Sequence, residues 1–149
     1  FHGPLVFSPV YEEAVPLYAR AAPLAMIGSP ILNRGEQRKA FPDEELVVVT
    51  SPMMQHRLTK GYDDHLGQVV ASIDGQPVRN LLHLVELLRD ATGEFVTFRF
   101  HGELTGETMV FPRRELDEAT AELMQDNGIP RRGSDDALAV WERRGESAK

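Results

Sequence analysis

Residues 69–84 read VVASIDGQPVRNLLHL, and the order of the patterns within them decides the fold. A β-branched run ends at Asp74-Gly75, a dipeptide that is typical of tight turns between strands. After a short extended step, Asn80 supplies a side-chain oxygen that can cap the first turn of a helix. Apolar residues then recur three and four positions apart, at 81, 84, 85 and 88, which predicts an amphipathic helix over residues 81–91. The segment therefore predicts a strand, a tight turn and a helix in close succession.

Apolar runs on both sides of this segment predict further strands. Residues 46–50 are mostly β-branched and end at Ser51-Pro52, as expected of a buried strand. Residues 95–100 alternate in the manner of a half-buried strand, and a glycine-bearing connection leads from them to a last strand at 107–111. Strands and a helix mixed in this order indicate an α+β domain.

Composition excludes several classes of function. The 149 residues are 42% hydrophobic and 26% charged, with a formal net charge of −7 and no Cys. The absence of Cys excludes disulfides, thiol catalysis, cysteine-ligated zinc and iron–sulfur clusters. The negative charge argues against a nucleic-acid partner, which would require surplus Lys and Arg. No apolar run approaches the ~18 residues that span a bilayer.

The sequence lacks a recognisable catalytic or cofactor-binding motif. No Ser lies in a Gly-x-Ser-x-Gly context, and no glycine-rich phosphate-binding motif is present, so we expect no cofactor and no catalytic residue. Asp63-Asp64-His65 lacks the ligand spacing of a calcium loop, so we expect no metal site. His83 and Glu86 can share one helix face. This pair keeps one alternative open, a small stand-alone hydrolase.

Four motifs follow one another along the chain: GPLVFSP at 3–9, GY at 61–62, VRNLLHL at 78–84, which lies within the strand–turn–helix segment, and DNGIP at 126–130. Together with the strand–turn–helix segment, they resemble the C-terminal (second) PDZ domain of Deg/HtrA serine proteases, most closely the plant-type branch. The resemblance extends from about residue 3 to about residue 140. It implies a PDZ-like α+β fold, a partly open β-barrel or sandwich with a groove helix, followed by a C-terminal helical extension.

The resemblance also implies where a ligand would bind. A carboxylate-binding loop and an edge strand correspond to residues 3–7, and the groove helix would turn one apolar face towards them. The implied groove residues are Gly3, Pro4, Leu5, Val6, Phe7, Leu81, Val85 and Leu88. Pro4 departs from the family pattern because it has no N–H for a ligand carboxylate. Leu5 and Phe7 can line a pocket for a ligand side chain or can instead fill the sheet.

The expected domain contains one insert and is followed by one extension. We assign residues 1–112 to the PDZ-like domain, with a proline-rich insert at about 10–42, and residues 113–149 to a C-terminal helical extension and charged tail. Trp141, the only Trp, is expected to dock on its own domain or, as an interface candidate, on a neighbouring subunit.

The resemblance implies a regulatory interaction module, not an enzyme. It predicts oligomer assembly, or capture of a peptide or substrate by strand addition at residues 5–7. The expected partners are other subunits of the same protease and C-terminal or internal peptide segments, with a homo-oligomer in the full-length protein. The parent is expected to be a chymotrypsin-like serine endopeptidase whose protease domain precedes Phe1, because the chain begins like an excised piece.

Two further points stay open at this level. The groove can instead be filled by the chain's own insert, which would make the domain purely structural. Family members occur in the bacterial envelope and in plant organelles or nuclei, and we favour the bacterial periplasm.

Overall fold

The computed structural model describes residues 1–33, 39, 41–102 and 108–143. The predicted connection between the last two strands, apart from His101 and Gly102, and most of the charged tail lie outside the described residues.

Two antiparallel sheets form the framework. Strands β1 (Phe7–Pro9) and β2 (Val47–Val49) pair in the smaller sheet, with Phe7 opposite Val49. The larger sheet has the order β4-β3-β5-β6 and contains β3 (Val70–Ile73), β4 (Gln76–Pro77), β5 (Phe95–Phe100) and β6 (Thr108–Pro112). A bridge between Val48 and Val69 joins the two sheets.

The helices divide into a short group in the insert and a longer group around the core. The first group comprises α1 (Val15–Ala21), α2 (Pro23–Met26) and α3 (Pro30–Asn33), after a 3₁₀ turn at Glu12–Ala14. The second group comprises α4 (Leu81–Asp90), α5 (Arg113–Asp126) and α6 (Asp135–Glu142), and a second 3₁₀ turn spans Arg57–Thr59. Proline occupies the first or second position of α1 and α2 because it can start a helix but not continue one.

The main core lies between the larger sheet, α4 and α5. Residues that are at most 1% exposed include Leu84 on α4, Leu116 on α5, Phe98 and Phe111 in the larger sheet, and Leu5 just before β1. The alternation predicted for β5 is observed, because Val96 and Phe98 are buried whereas Phe95 is exposed. The predicted α+β fold class is confirmed.

The insert builds a second, smaller core on the other side of β2. Tyr18, Met26 and Ile31 pack against Val48 and Val69, which the main core does not use. Since a buried strand turns alternate residues to opposite sides, β2 can serve both cores at once. The described part of the insert is therefore held away from α4.

Candidate interaction groove

Helix α4 is fixed at its start by the predicted cap. The Oδ1 atom of Asn80 accepts a hydrogen bond from the His83 N–H at 2.8 Å, and its amide nitrogen donates to the Asp43 carbonyl at 3.1 Å. Leu84 and Leu88 are buried, whereas Leu81 and Val85 are only half-buried. The cap and the core contacts therefore hold one apolar face of α4 in a set position beside β1.

Strand β1 pairs with β2 along one edge. The N–H of Thr50 donates to the Val6 carbonyl, and the N–H of Val10 donates to the Leu46 carbonyl. Because bonded pairs alternate in an antiparallel ladder, the N–H and C=O of Phe7 point to the opposite edge. That edge has no strand partner among the described residues. Pro9, the next residue on that edge, has no N–H, so Phe7 alone offers both groups for strand pairing.

A cavity of about 80 Å³ lies between β1 and α4. We call the cleft that contains it the groove. Its lining on this side consists of apolar side chains from both elements: Phe7, Leu81, Leu84, Val85 and Leu88. The Phe7 ring also stacks on Phe98 at a centroid distance of 5.9 Å, which anchors the groove to the main core.

The opposite wall of the groove is helix α6. Ala137, Leu138 and Trp141 line the same cavity, so α6 lies along α4 and covers the cleft. The Arg89 guanidinium donates from Nη1 to the Val140 carbonyl at 2.7 Å, which connects the two helices directly.

The indole of Trp141 is held by two basic side chains. The guanidinium carbon of Arg132 lies 3.9 Å from the ring centroid, within the range of a cation–π contact. The imidazole of His2 lies on a tilted approach at 5.7 Å. Trp141 thus packs on its own domain, against the main core.

Burial determines the charge state of His2, which lies beside Trp141. Desolvation, with the neighbouring Arg132 charge as the second cause, lowers the pKa of His2 to about 3. His2 is therefore neutral at physiological pH and accepts a hydrogen bond at Nδ1 from Arg132. Its Nε2 lies 3.7 Å from a carboxylate oxygen of Asp117.

The turn at residues 2–5, which the resemblance identifies with a carboxylate-binding loop, is closed on itself. The N–H groups of His2 and Leu5 donate to each other's carbonyls, at 3.0 and 3.3 Å. The Gly3 N–H donates to the Thr120 hydroxyl at 2.7 Å, and Pro4 has no N–H. Gly3 has a φ of +53°, and a Cβ there would lie 2.3 Å from a methyl carbon of Leu116. None of these backbone groups is left to receive a ligand carboxylate.

The structure brings together some of the residues expected at the groove and separates others. Phe7, Leu81, Val85 and Leu88 line one cavity, and Val6 is half-buried beside it. Gly3, Pro4 and Leu5 are buried, and Leu5 is fully enclosed in the main core. The side chain of Leu5 therefore fills the sheet, the second of its two sequence-based interpretations.

His83 and Glu86 lie on the other side of α4. They line a second, polar cavity together with Arg79 and Asp74. Burial, and then the Arg79 charge, lower the pKa of His83, and its Nδ1 accepts a hydrogen bond from the Arg79 N–H at 3.2 Å. No Ser lines this cavity. Among the described residues, no group of three or more His, Asp or Glu side chains is placed to hold a metal ion.

Sequence reasoning missed the residues that seat α6. Neither Arg89 nor Leu138 was singled out from the sequence. The available signal was the spacing of Ala137, Leu138 and Trp141, which places all three on one side of a short helix.

Comparison with known proteins supports the motif-based resemblance. A family model described as "PDZ domain" matches residues 1–136. The chain is 27% identical over 137 residues to "Protease Do-like 2, chloroplastic" from Arabidopsis thaliana. The aligned region covers 92% of this chain and 21% of that protein, so the chain spans about a fifth of the relative's length. Within the described part of the chain, the helices are all too short or too polar to cross a membrane.

Proposed function

This chain belongs to the PDZ domain family, and from that membership we propose that it is the interaction module of a Deg-like serine protease. A PDZ domain is a non-catalytic module that binds proteins or peptides. We propose that this one holds a segment of another protein chain in the groove between β1 and α4. The observation that carries the proposal is the cavity in which Phe7 of a strand edge meets Leu81, Val85 and Leu88 of a helix.

Internal segments suit this groove better than free C-termini. A carboxylate gains most from charge-assisted hydrogen bonds to backbone N–H groups. The N–H groups of His2, Gly3 and Leu5 are already bonded within the protein. Internal segments are what neighbouring subunits of one assembly can offer, so we favour subunit assembly as the role of the module.

Capture of a peptide substrate is the second candidate function. It is favoured by the N–H and C=O of Phe7, which point away from β2 and can pair with an extended chain. The protease activity itself belongs to our proposal for the parent protein and rests on the relative's name.

The experiment is a titration of labelled apolar peptides, each prepared with a free and with an amidated C-terminus, against the whole chain. We expect binding that changes by less than about threefold on amidation, because the N–H groups of the turn at residues 2–5 are already bonded within the protein. Val85→Asp should weaken binding at least about 10-fold by placing a charge in the groove. Leu82→Asp is the matched control, since Leu82 is half-exposed on the same helix and does not line the cavity.

The same samples report assembly through their mass in solution. A protein that stays monomeric and binds neither a peptide nor a Deg-type protease domain would overturn the proposed function. Unfolding of Val85→Asp, with Leu82→Asp intact, would place Val85 in the core and overturn its assignment to the groove.

A further inference from the structure

We propose that the groove is a binding site for a short amphipathic helix, and that α6 is the ligand it already holds. The ligand class is a helix that carries leucine and an aromatic residue three positions apart, as Leu138 and Trp141 are. This inference deepens the proposed function and rests on it, because it names the chemistry of the segment that the groove receives.

The groove offers few main-chain hydrogen-bonding groups to a ligand in an extended conformation. The turn at residues 2–5 has no free amide for a chain end. The exposed edge of β1 offers both an N–H and a C=O at Phe7 alone, and Pro9 interrupts the ladder beyond it. A peptide added as a strand would therefore gain few main-chain hydrogen bonds.

The same groove recognises a feature that only a helix presents. The last turn of any α-helix leaves carbonyl groups without an intrahelical partner. The Arg89 guanidinium, which also pairs with Asp90, donates to one of these, the Val140 carbonyl at the negative end of the helix dipole. An extended strand of the same sequence would not place this carbonyl at the end of a helix dipole.

Arg132 and His2 form a binding site for the indole of Trp141 beside the groove, which we call the aromatic slot. Arg132 lies over the indole of Trp141, and His2 flanks the ring on its buried side. Because the His2 ring is neutral, it packs against the indole without adding a second buried charge. Leu138, one turn before Trp141, lines the same cavity as Leu81 and Leu88.

The remaining space shows that α6 competes with any other ligand. A cavity of about 80 Å³ admits roughly one side chain, whereas ligand pockets commonly measure about 300–1,000 Å³. A segment from another chain must therefore displace α6.

The test uses a labelled peptide with the sequence of residues 133–143, GSDDALAVWER, blocked at both ends. Its affinity is measured for the whole chain and for the Leu138→Ala/Trp141→Ala double variant, in which α6 keeps good helix formers but loses its groove contacts. We expect the peptide to bind the double variant at least about 10-fold more tightly than the unaltered chain. Adding Val85→Asp to the double variant should abolish this binding, whereas adding Leu82→Asp should not.

A second peptide separates a helical ligand from an extended one. Ala139 is exposed on α6, so Ala139→Pro in the peptide preserves both groove-facing side chains while preventing the helix. We expect this peptide to bind at least about 10-fold more weakly than the parent peptide. Equal binding of the two peptides would overturn the helical ligand class.

Further outcomes keep this inference separate from the function it rests on. Equal affinity of the parent peptide for the unaltered chain and the double variant would overturn α6 as the resident ligand. If neither binds this peptide while apolar peptides still bind in a Val85-dependent manner, the helix-binding site is wrong and the proposed function stands. If those peptides also fail, both are wrong.

A single-residue variant covers the case in which the double variant does not fold. In Arg89→Ala, α6 loses the bond to its Val140 carbonyl but keeps Leu138 and Trp141. Since Trp141 is the only Trp, its emission reports α6 alone. We expect a red shift and stronger quenching by acrylamide in this variant. An unchanged emission would overturn the role of Arg89 in holding a helix end.

Discussion

The two sides of helix α4 differ in both chemistry and occupancy. The groove side presents Leu81, Val85 and Leu88 and is covered by α6, whereas the other side presents His83 and Glu86 to an open polar cavity. The polar cavity is the larger, about 470 Å³ against about 80 Å³. Burial of apolar surface releases free energy whereas burial of these polar groups costs it, so only the apolar side gains from a covering helix. The occupied cavity, not the larger one, is therefore where we propose that this domain binds other chains.

The largest expected loss of stability comes from substitution of Leu84, whose side chain lies in the main core. Leu84 lies on the buried side of α4 and is 1% exposed, so Leu84→Ala should lower the free energy of unfolding by about 2–5 kcal/mol. Urea unfolding followed by circular dichroism measures this. Leu82→Ala, on the solvent side of the same helix, is the control and should change stability far less. Similar losses for the two variants would remove the distinction between core and surface on α4.

Acid should lower the free energy of unfolding through His2, which is buried beside the groove. The pKa of His2 is about 3 in the folded protein and about 6.5 when exposed, so the unfolded state binds more protons between these values. Stability therefore falls as pH decreases through 6.5 towards 3, by about 2 kcal/mol between pH 7 and pH 5.

The measurement is urea unfolding at several pH values, compared with His2→Asn, which keeps an acceptor towards Arg132 but does not titrate. The difference between the two proteins isolates His2 from the other histidines. Parallel pH profiles would contradict the assignment of a buried, neutral His2.

A smaller loss of stability is expected when a residue of the aromatic slot is replaced. Replacing Arg132 by Gln removes the cation over Trp141 and should cost about 0.5–2 kcal/mol in the free energy of unfolding. Trp141 emission should shift to the red at the same time. Arg131→Gln is the neighbouring control, because Arg131 is exposed and pairs with Asp135 at the start of α6. A red shift in the control alone would locate the anchor of α6 at its first turn.

The smallest effect is expected on the polar side. Glu86→Ala removes a half-exposed carboxylate from the open cavity and should change stability by less than about 0.5 kcal/mol. Peptide binding in the groove should be unchanged. A loss of binding comparable to that of Val85→Asp would show that the two sides of α4 do not act independently.

Local signals made α4 predictable from the sequence. The turn at Asp74-Gly75, the Asn80 cap and the spacing of the apolar residues each act within a few positions, and the structure contains all three. The family resemblance extended this to the overall fold, which was confirmed.

Which segment of the chain covers the groove could not be predicted in the same way. Whether α6 or the insert lies against α4 depends on pairings between residues far apart in sequence, such as Arg89 with Val140. The insert was a candidate to fill the groove, but its apolar residues pack on the back of β2, and none of its described residues lines the cavity. The closed turn at residues 2–5 was equally hidden, since Gly3 bonds to Thr120 on α5.

Pro9 has a consequence for copies of this domain held at high local concentration. An exposed strand edge is a template for uncontrolled pairing between molecules, which leads to aggregation. In β1 the open edge is three residues long and ends in a residue without an N–H, so a second copy finds almost nothing to extend. The feature that makes the edge a poor receptor for strands therefore also limits pairing between the β1 edges of neighbouring copies.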